Sequence, residues 1–182
     1  MEDLSLHILD IVENAIAARA KKIEILVVEE PGKDRLTIEI RDDGIGMDEE
    51  VSQKAVDPFF TTRSTRRVGL GLPFLAQAAQ EAGGSLRVES KIGKGTKVTA
   101  SFQYHHIDRK PLGSMVETVA TLLFGNPGLE ILYTHQKEGK SFTFDSSWVK
   151  NHFKDRPFVD PEVIREVERH LKEGLKQIGA RA

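Results

Sequence analysis

The sequence predicts a two-layer α/β sandwich followed by a small α+β extension. Some segments alternate apolar and polar residues, as half-buried strands do, and others repeat apolar residues at helical spacing. Beyond Asp108 the pattern starts again with helices and a hairpin of its own. A chain of 182 residues has room for one domain and a small appendage. We therefore expect a domain at 1–106 and an accessory α+β domain at 107–182.

Residues 3 to 20 are predicted to form a helix that opens the chain. Its apolar residues share one face that must pack on a sheet: Leu4, Ile8, Ile11, Val12, Ala15 and Ile16. The opposite strip carries polar residues at helical spacing, which allows them to converge on one ligand: Asp3, His7, Asp10, Asn14 and Lys21. A solvated helix face is the alternative explanation of this strip.

Asp10 and Asn14 lie one helical turn apart on that strip, and the pair suits phosphate chemistry. The Asn14 side-chain oxygen can ligate Mg²⁺, and the Asp10 carboxylate can orient or deprotonate a nucleophile. Glu13 points to a different side of the helix, so geometry makes it the weaker base. His7 could contact a nucleotide or a partner, although a surface or helix-capping histidine is the more common case.

A hairpin follows, and its second strand ends in a short acidic stretch with two glycines. Residues 22–29 and 36–42 alternate in polarity around a turn, so the Asp42 carboxylate emerges where the second strand ends. Gly44 and Gly46 both allow positive φ and a close approach to a flat ligand. A buried carboxylate that accepts from an exocyclic amine is what an adenine pocket needs. A tight turn or a calcium-like loop would give the same short motif.

Two later stretches point to phosphate binding. Residues 63–68 contain three arginines and little apolar character, so we expect them to become ordered when an anion binds; an ordinary basic surface loop is the alternative. They lead through Gly69 and Gly71 into a helix, and the N–H groups and dipole at a helix start favour phosphate. Residues 93–96 superficially suggest a Walker loop, but no helix follows them, which excludes that reading.

Over residues 4–104 these stretches together resemble the Bergerat-fold (GHKL) ATP-binding superfamily of gyrase B, MutL, a heat-shock chaperone and histidine kinases. The resemblance implies a mixed, mostly antiparallel sheet with helices on one face and a site for ATP and Mg²⁺. It maps the metal-binding asparagine to Asn14, the adenine aspartate to Asp42 and the adenine loop to Gly44, Gly46 and Met47. It further implies nucleotide contacts at Phe59, Thr61, Thr62, Arg63, Arg67, Gly69, Leu70, Gly71, Leu72 and Thr96.

Three departures from the family pattern bear on function. Arg67 stands where many relatives carry a glycine. The segment between Phe59-Phe60 and Gly69, which forms a lid over the nucleotide in this family, is short, and a short lid favours the kinase branch. Asp10 stands where hydrolytic members and anti-sigma serine kinases carry a glutamate, and it is one methylene shorter. Since the first helix opens the sequence, we expect no phosphoacceptor segment before it and no autophosphorylation of the usual kind.

The C-terminal extension is predicted to contain a helix starting at Pro111, a hairpin between 129 and 144, and a final helix capped by Asp160. We find no catalytic motif in it. Its three large aromatic residues are interpreted as core rather than as a recognition surface: Trp148, Phe153 and Phe158. The final helix could pair with a second copy, which would give a homodimer, or hold a regulated partner.

The sequence therefore predicts a regulatory kinase that transfers the γ-phosphoryl group of ATP to a separate protein. A nucleotide-gated switch or a weak ATPase without kinase activity is the alternative. The net charge of −2, with both signs interspersed, indicates neither a nucleic-acid nor a membrane partner. The chain has no cysteine and no apolar run of spanning length, so we expect a cytoplasmic protein.

Overall fold

The computed structural model describes residues 3–57, 71–154 and 156–181. The strands are β1 (Lys22–Glu30), β2 (Arg35–Asp42), β3 (Ser85–Lys91), β4 (Gly95–Gln103), β5 (Glu130–Lys137) and β6 (Lys140–Asp145). They form one sheet in the order β3-β4-β2-β1-β5-β6. Only the β1–β5 pair is parallel among these strands. The sheet is mixed and mostly antiparallel, as predicted.

Helices cover one face of this sheet. They are α1 (Leu4–Ala17), α2 (Glu49–Lys54), α3 (Gly71–Glu81), α4 (Met115–Gly125), α5 (Ser147–His152) and α6 (Pro161–Gln177). Helix α1 contacts both α3 and α4, and α4 contacts α6, so the four long helices lie side by side in the order α3-α1-α4-α6. Across the described ranges, no helix combines the length and apolar composition needed to cross a bilayer. The two-layer α/β fold class is confirmed.

Strand alternation explains how the two layers join. Ile23, Ile25 and Val27 of β1 are buried, while the residues between them are only partly buried. The hairpin register places Ile25 opposite Ile40 of β2, so the apolar faces of both strands point toward α1. Burying an aliphatic side chain of this size stabilises the fold by about 1.5–3 kcal/mol. The predicted hairpin is therefore also the centre of the core.

Helix α1 begins and ends for local reasons. The Asp3 carboxylate accepts a hydrogen bond from the Leu6 N–H at 3.2 Å and caps the first turn. At the other end Arg19 has φ 62°, a left-handed conformation that a right-handed helix cannot include. The helix consequently stops at Ala17, three residues before the predicted end.

The C-terminal extension joins the N-terminal half directly. Strand β5 pairs with β1, so β5 and β6 continue the same sheet rather than forming a separate one. The carbonyls of Pro111 and Leu112 accept from the Leu4 and Ser5 N–H groups at 2.9 and 2.8 Å. This pairing holds the segment outside a helix, so the expectation that Pro111 opens α4 was wrong; Ser114 caps that helix instead. The division at 106/107 stays a prediction.

The apolar residues of the extension are used within the chain. Trp148, Phe153 and Phe158 pack against the core cluster, as predicted. The apolar face of α6 is buried along its length and contacts α4 and β6: Val163, Val167, Leu171 and Leu175. This face is therefore occupied, and a homodimer would have to use another surface.

A buried polar cluster joins the extension to the hairpin. One Glu29 oxygen lies 2.8 Å from His135 Nε2, and the other accepts from the Tyr104 hydroxyl at 2.8 Å. The Tyr133 hydroxyl lies 2.6 Å from His135 Nδ1, and Lys137 Nζ lies 3.4 Å from Glu29. Burial alone would raise the pKa of Glu29, but hydrogen bonds from His135 and Tyr104, together with the charges of His135 and Lys137, lower it to about 2.

This cluster predicts a pH dependence of stability. A carboxyl whose pKa falls from 4.5 to about 2 on folding stabilises the protein fully above pH 4.5, and the contribution is lost as the pH falls toward 2. The shift corresponds to about 3 kcal/mol. We expect urea unfolding of Glu29→Gln to show a lower midpoint at neutral pH and a flatter pH profile than the wild type. Glu24→Gln, at a half-exposed position of the same strand, is the control; equal profiles for Glu29→Gln and wild type would contradict the assignment.

Candidate functional site

The N-terminal end of α3 lies against the polar strip of α1. A β-carbon built on Gly71 would lie 3.0 Å from Asp10 Cβ and 3.6 Å from Asn14 Nδ2. The structure thus brings together the predicted catalytic residue, the predicted metal ligand and the first residue of the glycine-started helix. Partial burial, and then the nearby charge of Glu13, raise the pKa of Asp10. A carboxylate with a raised pKa accepts a proton more readily.

Asp42 lies at the end of β2 and is half-buried. Its Oδ1 accepts a hydrogen bond from the Gly44 N–H at 2.8 Å, and the Thr96 N–H also bonds this carboxyl group. Burial raises the pKa of Asp42, while these two backbone hydrogen bonds partly offset the rise. The carboxylate is therefore held in a fixed orientation by β4 and by its own loop.

The loop from Asp43 to Met47 is anchored through its first and third residues, Asp43 and Ile45. Asp43 Oδ1 accepts from the Lys21 and Lys22 N–H groups at 2.7 and 2.9 Å. The Ile45 N–H donates to the Ala18 carbonyl at 2.9 Å. These contacts hold the loop against the end of α1 and the start of β1.

The two glycines of this loop serve different needs. Gly46 has φ +69°, and a β-carbon there would overlap the Lys91 carbonyl. The sequence led us to expect positive φ at Gly44 as well, but its φ is not positive. A β-carbon at Gly44 would instead lie 2.8 Å from both the Ala18 carbonyl oxygen and Asp42 Oδ1. Gly44 is thus required for space and Gly46 for space and conformation.

Ser90 is a positioning residue that the sequence analysis missed. Its Oγ accepts from the Met47 N–H at 2.8 Å, lies 2.8 Å from Thr96 Oγ1, and donates to the Gly95 carbonyl at 3.1 Å. One hydroxyl therefore ties the loop of Met47 to the β3–β4 turn. Pairing β3 with β4 residue by residue outward from that turn places Ser90 opposite Thr96, as the structure shows. This strand register is the signal in the sequence that could have identified Ser90.

We expect Ser90→Ala to weaken ATP binding several-fold while the protein stays folded. The substitution leaves the Met47 N–H without its partner, which costs about 1 kcal/mol, and loosens the loop next to Asp42. Isothermal titration calorimetry with ATP and magnesium measures the effect. Ser85→Ala on the same strand is the control, because the Ser85 hydroxyl bonds Ser101 at the far end of β3. Equal affinities for the two variants would exclude the positioning role.

A groove of about 330 Å³ opens beside Asp42. Thr96 and Ser90 line it, together with Glu89 and four basic residues: Arg41, Lys91, Lys94 and Lys97. Within the described ranges, no three His, Asp or Glu side chains lie close enough to hold a metal ion. The Mg²⁺ site expected at Asn14 stays a prediction.

Other predicted site residues lie outside the described residues or have a different role in the structure. Seven of them lie outside the described residues: Phe59, Thr61, Thr62, Arg63, Arg67, Gly69 and Leu70. Leu72 is partly buried and packs against the core. The predicted polar strip does not converge as a whole, because Asp3 is used as the helix cap. His7 is 1% exposed, so the surface or capping interpretation was wrong.

Comparisons with known proteins match the N-terminal part of the chain. The family described as "Histidine kinase-, DNA gyrase B-, and HSP90-like ATPase" matches residues 2–106. Sporulation kinase E of Bacillus subtilis (strain 168) is 36% identical over 89 residues, which are 48% of this chain and 12% of that protein. The sensor histidine kinase YkoH of the same organism is 37% identical over 97 residues, which are 50% of this chain and 21% of that protein.

The comparison with solved structures concerns the fold. A crystal structure of the N-terminal domain of a DNA repair protein aligns with a TM-score of 0.52 and 17% sequence identity, over 79% of this chain and 52% of that one. At this identity the likeness shows the fold alone. The fold of this chain therefore recurs outside kinases, and the choice among functions depends on the site residues.

Proposed function

The chain belongs to the family of histidine kinase-, DNA gyrase B- and HSP90-like ATPases, and from this premise we propose that it transfers the γ-phosphoryl group of ATP to a separate protein. It carries a histidine-kinase-like ATP-binding domain. The observation that supports transfer is the position of Asp10 and Asn14 against the start of α3. A proton acceptor, a metal ligand and a helix N-terminus are the groups that phosphoryl transfer needs in one place.

In this proposal each group has one role. The Asp42 carboxylate accepts a hydrogen bond from the adenine amine, the Asn14 oxygen holds Mg²⁺, and the Gly71 end of α3 favours phosphate charge. Asp10 receives the proton of the acceptor or orients it. Because phosphoryl transfer depends mainly on positioning and electrostatic stabilisation, the residues that fix the Asp42 loop also contribute.

We expect Asp10→Asn to abolish transfer and spare nucleotide binding. An amide cannot accept the proton, and loss of a general base lowers the rate by a factor of about 10²–10⁴. The full chain is incubated with γ-labelled ATP and a cell extract, and label on a protein other than this chain is the expected result. Glu13→Gln, an exposed carboxylate on the neighbouring side of α1, is the matched control; it should keep transfer, reduced only by the loss of the Glu13 charge that helps to raise the pKa of Asp10.

Two outcomes would contradict this assignment. Transfer at the wild-type rate by Asp10→Asn would remove Asp10 from the mechanism. Label found only as free phosphate, or only as intact ATP, in the wild-type reaction would exclude the kinase and leave a weak ATPase or a switch. Calorimetry with ATP on the same variants distinguishes loss of chemistry from loss of binding.

A second candidate, a nucleotide-gated switch, is favoured by one contact. The Leu4 and Ser5 N–H groups donate to Pro111 and Leu112, so the extension is bonded to the helix that carries Asp10 and Asn14. A change in α1 would then reach the extension directly. Hydrogen exchange of those two amides with and without a non-hydrolysable ATP analogue tests this; exchange that is unchanged by the analogue would exclude it.

We also propose a cytoplasmic location and a protein partner distinct from this chain. The lack of cysteine supports a reducing compartment. Because the apolar face of α6 is occupied within the chain, this partner would bind at another surface.

A further inference from the structure

Strand β6 forms one edge of the sheet, because within the described residues it pairs with β5 and has no strand on its other side. Contacts at both ends of β6 show which backbone groups face β5. The Ser146 N–H donates to the Ile131 carbonyl at 2.9 Å, so it points toward β5. At the other end a two-residue turn closes on Lys137 and Lys140, and such a turn closes on a hydrogen-bonded pair. Every second residue between Lys140 and Ser146 therefore also bonds to β5.

The remaining residues of β6 direct their N–H and C=O groups away from the sheet, since these groups alternate in direction along a strand: Ser141, Thr143 and Asp145. All three are exposed, and none of their outward groups has a backbone partner within the described ranges. Helix α6 lies over the face of β6, because a β-carbon on Gly174 would overlap the Phe142 ring. The outer edge of β6 is thus open to a further strand.

The two edges of the sheet differ in their protection against such pairing. Natural edge strands are usually protected by charged residues. Strand β3 follows this rule with three charged residues at alternate positions: Arg87, Glu89 and Lys91. The stretch Ser141–Phe144 of β6 carries no charge, and its phenylalanines and threonine favour strands. The composition of β6 is therefore typical of a strand that is paired on both sides.

We propose that β6 pairs antiparallel with β6 of a second copy of this chain, about a two-fold axis at Thr143. The charges at the two ends of the strand support this orientation. Lys140 begins β6 and Asp145 ends it, so antiparallel pairing brings unlike charges together, whereas parallel pairing would bring like charges together. With the axis at Thr143, all three outward residues of one strand face the three outward residues of the other.

The side chains that meet in this register are complementary. On the open face of the sheet, Thr143 faces Thr143, and the Ser141 hydroxyl faces the Asp145 carboxylate of the second copy, to which it can donate. On the helix face, Phe142 lies opposite Phe144 of the second copy, an aromatic pair of the kind that stabilises sheets. Phe142 is only partly buried within its own chain, so it has surface left for this contact. The two-fold axis makes each of the last two contacts twice.

This pairing produces a closed dimer rather than a fibre. Each copy has one β6, and the charged edge at β3 remains outside the pairing. Strands β1 and β5 separate β6 from β2, which carries Asp42, so both nucleotide sites stay free. Dimer formation does not require nucleotide and is tested without it, so it can fail independently of the proposed kinase activity.

Sedimentation equilibrium of the 182-residue chain without nucleotide measures the association. We expect a dimer with a micromolar dissociation constant, since a single short strand from each copy makes a small interface. Thr143→Pro removes an N–H that points away from β5, a position where an edge strand tolerates proline. It should raise the dissociation constant at least about tenfold, because the bond is lost twice, and leave the fold intact by circular dichroism. Thr143→Val keeps the N–H and should dimerise as wild type.

Two results of this experiment would overturn the proposal. One is a wild-type chain that stays monomeric up to about 1 mM, as it would if the edge served a different protein. The other is an equal dissociation constant for Thr143→Pro and Thr143→Val. If Thr143→Pro does not fold, the register is tested by disulfide formation instead.

Single-cysteine variants report the register, because the chain has no cysteine of its own. In Thr143→Cys the two thiols face each other with Cα atoms about 5.5 Å apart, a separation that a disulfide spans, so mild oxidation should link the copies. Ser141→Cys alone and Asp145→Cys alone should not link, since equivalent residues lie more than about 13 Å apart, but a mixture of the two should. Ser85→Cys, at an exposed position of β3, should stay unlinked. Linking of Ser85→Cys as fast as Thr143→Cys, or no linking in the mixture, would overturn the pairing.

Discussion

Replacing Asp42 with asparagine is expected to weaken ATP binding by roughly 30- to 150-fold, which corresponds to a loss of about 2–3 kcal/mol. The carboxylate is an acceptor only, and it already receives the Gly44 and Thr96 N–H groups. An asparagine NH₂ would face either one of these donors or the adenine amine. In either orientation one donor in this half-buried site is left without an acceptor, and the affinity for ATP falls.

Calorimetry of the full chain with ATP and magnesium measures this loss. Glu39→Gln, three residues earlier on β2 and on the opposite face of the sheet, makes the same carboxylate-to-amide change away from the pocket and should bind as wild type. Urea unfolding of both variants controls for a general loss of structure. An Asp42→Asn protein with wild-type affinity would show that adenine is recognised elsewhere.

Gly46→Ala is expected to be the most destabilising substitution in the loop, lowering the free energy of unfolding by more than about 3 kcal/mol. The backbone there has φ +69°, and the added β-carbon would overlap the Lys91 carbonyl of the neighbouring turn. Since the obstacle is backbone rather than a flexible side chain, the loop itself must move. We therefore expect the loss of ATP binding to accompany the loss of stability.

Gly93→Ala separates conformational strain from overlap. Gly93 has φ +74°, but a β-carbon there would meet nothing within 4 Å. Gly93→Ala should lower the free energy of unfolding only by the cost of a left-handed backbone conformation at a non-glycine residue, about 1–2 kcal/mol. Urea denaturation of the two variants measures the difference, and equal losses would show that the contact between Gly46 and the β3–β4 turn does not hold the loop.

Local signals in the sequence predicted much of this fold. The β1–β2 hairpin follows from alternation, and the cap of the last helix at Asp160 follows from residue type. Each of these features depends on residues within a few positions of one another. The short helix α5, in contrast, was missed because its six residues are too few to show helical periodicity and Ser146 before it makes no side-chain cap hydrogen bond.

Features that join distant segments could not be predicted in the same way. The parallel pairing of β1 with β5 joins strands about a hundred residues apart in the chain, and no local pattern encodes it. His7 shows the same limit within the site. Its helical position was clear, but its burial depends on packing of α1 against helices from later parts of the chain, α3 and α4. Ser90 was missed because its role depends on the loop of Met47, far from it in sequence.

The parallel pairing also bears on how the chain acquires its structure during synthesis. Strand β1 is interior to the sheet, yet one of its two neighbours is made only after residue 130 has been added. Until then, one side of β1 presents unpaired backbone groups beside Ile23, Ile25 and Val27, the kind of edge at which chains aggregate. A ribosome-bound chain that ends between β4 and β5 should therefore need protection by a chaperone, and productive folding should begin when β5 and β6 emerge.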